Sequence, residues 1–307
     1  MICPSPLQPG DKIALISVAG KISCETVEKA AVLLEEEGFV TDIGAHAFGV
    51  LNTYAGTDQD RADDMQKAMD DIEVRAILFT RGGYGSLRTF MLLDWTEFHR
   101  HPKWLIGFSD ITVFHSYLSM KGIASVHGVM TSYFFENGER TGSLDKMLDL
   151  LRGKSPGYDL PPNLLNIPGT CHGELAGGNL SILFSLRGTP LDRALDGKVL
   201  FIEDIQEFDY HIDRMMMNLK FGGLLSRLAG LIVGYFTETK SGETPYGQEA
   251  YEIIREAVSG YGYPVVFGFP AGHELPDYPL LMGSEIYMDV TGDRVMIKQP
   301  FPSKKDA

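Results

Sequence analysis

The first half of the chain alternates short apolar runs with segments whose apolar side chains recur at helical spacing. Residues 11–18, 74–80 and 104–108 are apolar runs typical of buried strands, whereas residues 24–38 and 111–118 show a helical period. This alternation predicts an α/β fold with a parallel sheet and helices on both faces. In such sheets ligands bind beyond the carboxyl ends of the strands, so residues directly after each run are candidates for a site.

A proline-rich stretch at residues 153–169 separates this half from a second one. Its four prolines and lack of periodicity predict a linker between an N-terminal α/β domain, 1–152, and a C-terminal α/β domain, 170–307. The total of 307 residues allows two domains of ordinary size. In the second domain we expect strands, helices and a terminal hairpin, in the order strand 198–205, helix around 212–219, strand 230–236, helix around 250–257, strand 264–269 and hairpin 286–297.

The charge balance excludes several classes of partner. Lys and Arg number 27 against 41 Asp and Glu, a net charge of −14. A chain this acidic has no cationic surplus with which to bind a nucleic acid backbone or anionic lipid. Three distant cysteines, the lack of metal-ligand spacing, and the lack of a secretory signal or a membrane-length apolar window predict a cytoplasmic protein without a metal site. The serine chemistry considered below needs no organic cofactor.

The most informative local pattern is Gly107-Phe108-Ser109-Asp110, which lies between a predicted strand and a predicted helix. A serine on such a turn presents its hydroxyl beside the free N–H groups of a helix N-terminus. A nucleophile is one interpretation, although Ile111 replaces the second glycine of the usual motif G-x-S-x-G, which is therefore not matched. The alternative is a serine that only caps the helix.

A second turn, residues 81–85 (RGGYG), follows the strand at 74–80. Its three glycines allow the backbone to approach a ligand closely. Backbone N–H groups of this turn and of Asp110 could converge on a developing negative charge, as in an oxyanion hole. A weak phosphate-binding turn and an ordinary tight turn are the alternatives.

A serine nucleophile needs a base and a carboxylate that orients it. Among eight histidines, His115 falls on an apolar helical face typical of a core, whereas His127 beside Gly128 is expected to line a cleft. His273 follows a predicted strand in a glycine-flanked loop, which favours a functional position. Glu203 ends an apolar strand, where a charge is costly unless it has a partner. The alternative, which its neighbour Asp204 shares, is a solvated acid at the strand end.

Taken in order, these segments resemble the LD-carboxypeptidase family, the muramoyltetrapeptide carboxypeptidases and microcin-immunity peptidases. The resemblance runs over nearly the whole chain, through residues 6–13, 81–85, 107–112, 127–128, 177–180, 200–204 and 272–273. It implies a class I glutamine-amidotransferase-like N-terminal domain and a smaller C-terminal α/β domain. It also implies a catalytic triad of Ser109, Glu203 and His273, with oxyanion donors on the backbone of Asp110 and Gly83.

The resemblance implies a cytoplasmic serine carboxypeptidase that releases terminal D-alanine from peptidoglycan-derived tetrapeptides, and a homodimer. Candidate substrate-binding residues are Arg81, Tyr84 and His127, with Arg81 either holding the terminal carboxylate or bracing its turn through an ion pair. One alternative is a microcin-immunity-type peptidase, although the chain has only two tryptophans, Trp95 and Trp104. A second is a non-catalytic binder of cell-wall fragments. A third is a glutamine-amidotransferase-like enzyme, which would require a cysteine where Ser109 stands.

Overall fold

Five parallel strands form the sheet of the N-terminal half, in the order β2-β1-β3-β4-β5. The computed structural model describes residues 1–301. The strands of this half are β1 Lys12–Ile16, β2 Val40–Ile43, β3 Val74–Phe79, β4 Trp104–Ile106, β5 Ser125–His127, and a small hairpin of β6 Phe135–Glu136 and β7 Glu139–Arg140. The helices are α1 Cys24–Glu36, α2 Asp58–Asp70, α3 Ser86–Phe90, α4 Thr96–Arg100, α5 Thr112–Met120 and α6 Gly142–Leu151.

A second, seven-stranded sheet occupies the C-terminal half, in the order β12-β11-β10-β9-β14-β15-β8. Strands β9 to β12 are parallel, and β14, β15 and β8 add antiparallel pairs at the β9 edge. The strands of this half are β8 Gly157–Leu160, β9 Gly169–Asn179, β10 Val199–Ile205, β11 Gly230–Thr237, β12 Val265–Phe267, β13 Leu280–Met282, β14 Glu285–Val290 and β15 Val295–Lys298. All of them except β13 belong to the seven-stranded sheet. The helices are α7 Leu180–Ser185, α8 Asp209–Phe221 and α9 Ala250–Ala257.

The α/β class, the parallel strands and the terminal hairpin predicted from the sequence are confirmed. Apolar strands β3, β4 and β10 are almost entirely buried, because helices cover both sheet faces. Helices α1 and α2 begin where the sequence offers caps: Ser23 accepts from the Thr26 N–H, and Thr57 and Asp60 form a capping box. None of the helices within residues 1–301 has the length and apolar character of a membrane-spanning segment.

Strands β8 and β13 do not follow the expected division of the chain into two domains joined by a linker at 153–169. The stretch predicted to be a linker contains β8, which pairs with β15 and belongs to the second sheet. Strand β13, from the C-terminal half, pairs antiparallel with β5 and extends the first sheet. The loop between β12 and β13 therefore runs from one sheet to the other, and its two ends are fixed in different halves of the molecule.

The end of β9 packs directly against the beginning of α5. Gly178 has φ +137°, and a Cβ there would lie 2.4 Å from Thr112 Oγ1. The same Thr112 Oγ1 accepts a 2.9 Å hydrogen bond from the Asn179 N–H. A glycine is therefore required for the C-terminal sheet to reach the helix that follows Ser109.

We predict that Gly178→Ala lowers the free energy of unfolding by roughly 2–5 kcal/mol, because it combines a disfavoured backbone conformation with a steric clash. Gly188→Ala is a matched control: Gly188 also has positive φ, +75°, but a Cβ there meets no atom within 4 Å. It should cost only about 1 kcal/mol. Urea denaturation measures both values, and equal losses would contradict the proposed close contact.

Candidate active site

Ser109 lies on a sharp turn at the carboxyl end of β4. The chain is extended at Phe108, enters the left-handed region at Ser109 with φ +64°, and continues through a single 3-10 turn into α5. Buried His115 contacts this turn through Nε2, 2.8 Å from the Gly107 carbonyl oxygen. Burial lowers the pKa of His115 to about 3, so its ring is neutral and serves as a structural hydrogen-bond donor.

The structure brings Ser109, His273 and Glu203 together. Ser109 Oγ lies 2.9 Å from His273 Nε2, and His273 Nδ1 lies 2.8 Å from Glu203 Oε2. Ser109 comes from the N-terminal sheet, Glu203 from β10 and His273 from the loop between the two sheets. The spacing between hydroxyl, imidazole and carboxylate is that of a nucleophile, a base and a group that orients the base.

Burial makes the charge state of His273 depend strongly on its contact with Glu203. Glu203 is fully buried, and its Oε1 has no hydrogen-bond partner among residues 1–301. Burial by itself lowers the pKa of His273, but the charge and hydrogen bond of Glu203 outweigh it, so that the pKa lies above the ordinary 6.5. Asp204 and Asp277 add to this effect. The carboxylate therefore favours a protonated imidazole.

The structure distinguishes Glu203 from its neighbour Asp204. Alternate residues of a strand face opposite sides. Asp204 accepts hydrogen bonds from Asn179 Nδ2 at 2.9 Å and from Ser181 Oγ at 2.8 Å. Burial, with the nearby charge of Glu203, raises the pKa of Asp204 to about 6. Asp204 thus holds the junction of β9 and α7, whereas Glu203 faces His273.

The glycine turn at residues 81–85 lies against Ser109. A Cβ on Gly82 would lie 2.9 Å from Ser109 Cβ and 3.5 Å from the Asp110 backbone nitrogen, so only glycine fits there. The buried Asp110 carboxylate accepts from the Ser86 N–H at 2.7 Å and fastens the turn to the serine loop. Within residues 1–301, neither the Gly83 nor the Asp110 N–H has a hydrogen-bond acceptor.

Arg81 and Tyr84 are exposed on the same turn. Arg81 Nη1 donates to the Lys21 carbonyl oxygen at 2.9 Å and makes no salt bridge within the described part of the chain. An ion pair that braces the turn is therefore not formed. Tyr84 lies 6.0 Å from Tyr54, measured between ring centroids.

His127 is not at the position expected from the sequence. It ends β5 with no exposed surface, and its ring packs 4.8 Å from the Phe201 ring and 5.6 Å from Phe108. The prediction that it lines a cleft is wrong, because β13 pairs with this end of β5 and the Phe201 side chain covers the ring. Its nearest charged neighbour is Asp277, a buried residue that sequence reasoning missed because it lies in an irregular loop without a motif.

Glu274, the residue after His273, is one of the residues that line an open cleft of about 940 Å³. Its walls include the aromatic residues Tyr235, Phe236 and Tyr251. Every charged residue that lines it is acidic: Asp209, Glu249, Glu252 and Glu274. Separately, no group of three or more metal-ligating side chains capable of holding an ion occurs among residues 1–301.

Both halves of the chain are similar to domains of the same protein family. Residues 13–128 match the LD-carboxypeptidase N-terminal domain and residues 172–288 the LD-carboxypeptidase C-terminal domain. A probable murein peptide carboxypeptidase of Bacillus subtilis is 31% identical over 96% of this chain and 94% of its own. The microcin C7 self-immunity protein MccF of Escherichia coli is 25% identical over 97% and 96%.

A solved structure is similar in fold along nearly the whole length. The crystal structure of muramoyltetrapeptide carboxypeptidase from Oxalobacter formigenes superposes with a TM-score of 0.85 at 25% identity. The match covers 95% of this chain and all of that one.

The left-handed backbone of Ser109 leads to a stability prediction. Ser109→Gly and Ser109→Ala both remove the hydroxyl that contacts His273, but only glycine adopts positive φ without strain. We expect Ser109→Gly to be the more stable of the two by about 1 kcal/mol. Thermal and urea denaturation of the two variants measure this difference, and a more stable alanine variant would contradict the strained turn.

Proposed function

Because the chain belongs to the LD-carboxypeptidase family, we propose that it is a cytoplasmic serine carboxypeptidase that releases terminal D-alanine from peptidoglycan-derived tetrapeptides. The observation that carries this proposal is the continuous contact from Ser109 Oγ through His273 to Glu203. The B. subtilis relative and the O. formigenes structure, whose names specify murein-type substrates, support the choice of substrate.

In the proposed reaction, Ser109 Oγ attacks the carbonyl carbon before the terminal D-alanine while His273 Nε2 takes its proton. The Nδ1–H donates to Glu203, which stabilises the imidazolium. The tetrahedral intermediate collapses, the C–N bond breaks, and His273 returns the proton to the leaving amine. Water, deprotonated by His273, then attacks the acyl-serine and releases the shortened peptide with Ser109 restored.

The Gly83 and Asp110 N–H groups are the proposed oxyanion donors. Asp110 lies on the serine turn and Gly83 on the glycine turn that packs against it, and both N–H groups lack an acceptor within residues 1–301. Donors that are already in place need no rearrangement when the negative charge develops on the carbonyl oxygen. The Asp110 side chain supports this arrangement, because it holds the glycine turn at a fixed distance from Ser109.

The acidic cleft beside His273 supports a substrate that carries an amine. A diamino acid in a peptidoglycan peptide offers a cationic side-chain amino group, which the carboxylates of the cleft would attract. An anionic nucleotide phosphate would be repelled there. Both tryptophans are packed in the core, with Trp104 fully buried and Trp95 nearly so, and neither is available to stack on a nucleobase. These features favour a muropeptide as the substrate. The alternative, which the MccF relative supports, is a microcin-immunity enzyme that acts on an aminoacyl-nucleotide or another peptide conjugate.

The deciding experiment is mass spectrometry of a muropeptide mixture incubated with the protein in the presence of a metal chelator. We expect tetrapeptides to lose one alanine with wild-type protein. Ser109→Ala should leave them intact yet still bind them. Binding without turnover by the wild type would indicate a non-catalytic sensor, and turnover lost in chelator but restored by zinc would contradict the serine mechanism.

We further propose that Arg81 binds the free terminal carboxylate, since it has no ion pair of its own in the described structure. Amidation of the substrate should then lower kcat/KM by an amount equivalent to roughly 2–4 kcal/mol of transition-state stabilisation, because a charge-assisted hydrogen bond is left unmade. Arg81→Ala should cause a similar loss with the acid and little further loss with the amide. Equal penalties for acid and amide would show that Arg81 is structural.

A further inference from the structure

Behind His273 lies a second histidine–carboxylate pair that the proposed reaction does not use. His127 and Asp277 are both fully buried, with His127 Nε2 3.7 Å from Asp277 Oδ1. Within the described residues, both ring nitrogens of His127 and Asp277 Oδ2 have no hydrogen-bond partner. Buried polar atoms without partners are costly and rare, so a pair with three of them calls for a functional reason.

Asp277 is joined directly to the residue that precedes His273. Its Oδ1 accepts from the Gly272 N–H at 3.0 Å, and its own N–H donates to Ser143 Oγ, on α6, at 2.9 Å. Three residues later the chain enters β13, where Leu280 pairs with His127. The carboxylate therefore closes a short loop around His273, and the Asp277 N–H ties that loop to the N-terminal half, which carries Ser109.

The charge of Asp277 also acts on the imidazole. It is one of three carboxylates, after Glu203 and Asp204, that raise the pKa of His273 against the lowering effect of burial. Burial, together with the charge of Glu203, raises the pKa of Asp277 above its ordinary value, and His127 and the Gly272 N–H offset only part of that rise. The titratable groups around the two residues are Glu203 and Asp204 on β10, His127 on β5, Tyr133 on the turn after β5, Tyr158 on β8 and Tyr235 on β11.

We propose that Asp277, seated against His127, is a positioning residue for His273: it holds the histidine loop across the two halves and strengthens the imidazole as a base through its negative charge. The role of His127 is to stabilise that buried carboxylate. The expected effect of Asp277 on the reaction rate rests on the proposed function. Its effect on the position and basicity of the His273 imidazole does not.

Asp277→Asn separates the charge from the loop contact. The amide oxygen still accepts from the Gly272 N–H, but the negative charge is gone. Proton–nitrogen NMR of the imidazole, assigned with His273→Gln, should show the His273 pKa lowered by about one unit. Neutral His273 is the active base, so the fall of kcat/KM on the acid side should move to lower pH. We expect kcat about tenfold lower and KM within twofold of wild type.

Three further variants test whether the effect is specific to Asp277 and its partner His127. Asp64→Asn removes another buried carboxylate next to a histidine, His46, with Nδ1 2.9 Å from Oδ1, and should leave the His273 titration unchanged. His127→Phe should reproduce the effect of Asp277→Asn, because the buried carboxylate loses its partner. His127→Gln, which keeps a donor near Nε2, should restore most of kcat.

An unchanged His273 titration in folded Asp277→Asn would overturn the proposal and make Asp277 a simple loop brace. The NMR measurement needs no substrate. A shifted titration in a protein that does not cleave muropeptides would therefore support the positioning role while rejecting the proposed function.

Discussion

The buried contact between Glu203 and His273 is the interaction on which the site depends. Glu203 has one oxygen on His273 and the other without a partner in the described structure, so its charge is compensated mainly by the imidazole. A buried carboxylate of this kind is costly unless the histidine is held against it. The strand, the histidine loop and the serine turn must therefore close on one another, and the packing of the two halves sets the geometry of the proposed catalysis.

The elements of the site can pack this closely only because glycines lie at their points of contact. A Cβ on Gly82 would meet Ser109, one on Gly178 would meet Thr112, and one on Gly272 would lie 3.0 Å from Glu203 Oε2. Ser109 itself adopts a left-handed conformation that a serine tolerates only at a cost. The fold therefore gives up stability around the proposed nucleophile, and the surrounding buried sheets hold the strained turn in place.

Sequence patterns indicated the strands and the local settings of Ser109, Glu203 and His273, because apolar runs, glycines and a lone buried acid are local signals. They could not bring the three together: His273 lies 164 residues from Ser109 and 70 from Glu203, and only the family resemblance predicted their meeting. The position of His127 was wrongly predicted because a histidine beside a glycine shows the same sequence pattern whether it lines a cleft or is buried beneath other side chains. Strand β8 was missed because four residues between prolines show no period, and β15 supplies its pairing.

The central claim is that Ser109 is a nucleophile activated by His273. The most direct measurement is labelling of the folded protein with a fluorophosphonate, followed by intact mass and peptide mapping. The account predicts one adduct per chain, on Ser109, formed together with loss of turnover, absent in His273→Ala and slowed in Glu203→Gln. Loss of turnover with the adduct on a different residue, or labelling of Ser109 at an undiminished rate in His273→Ala, would contradict it.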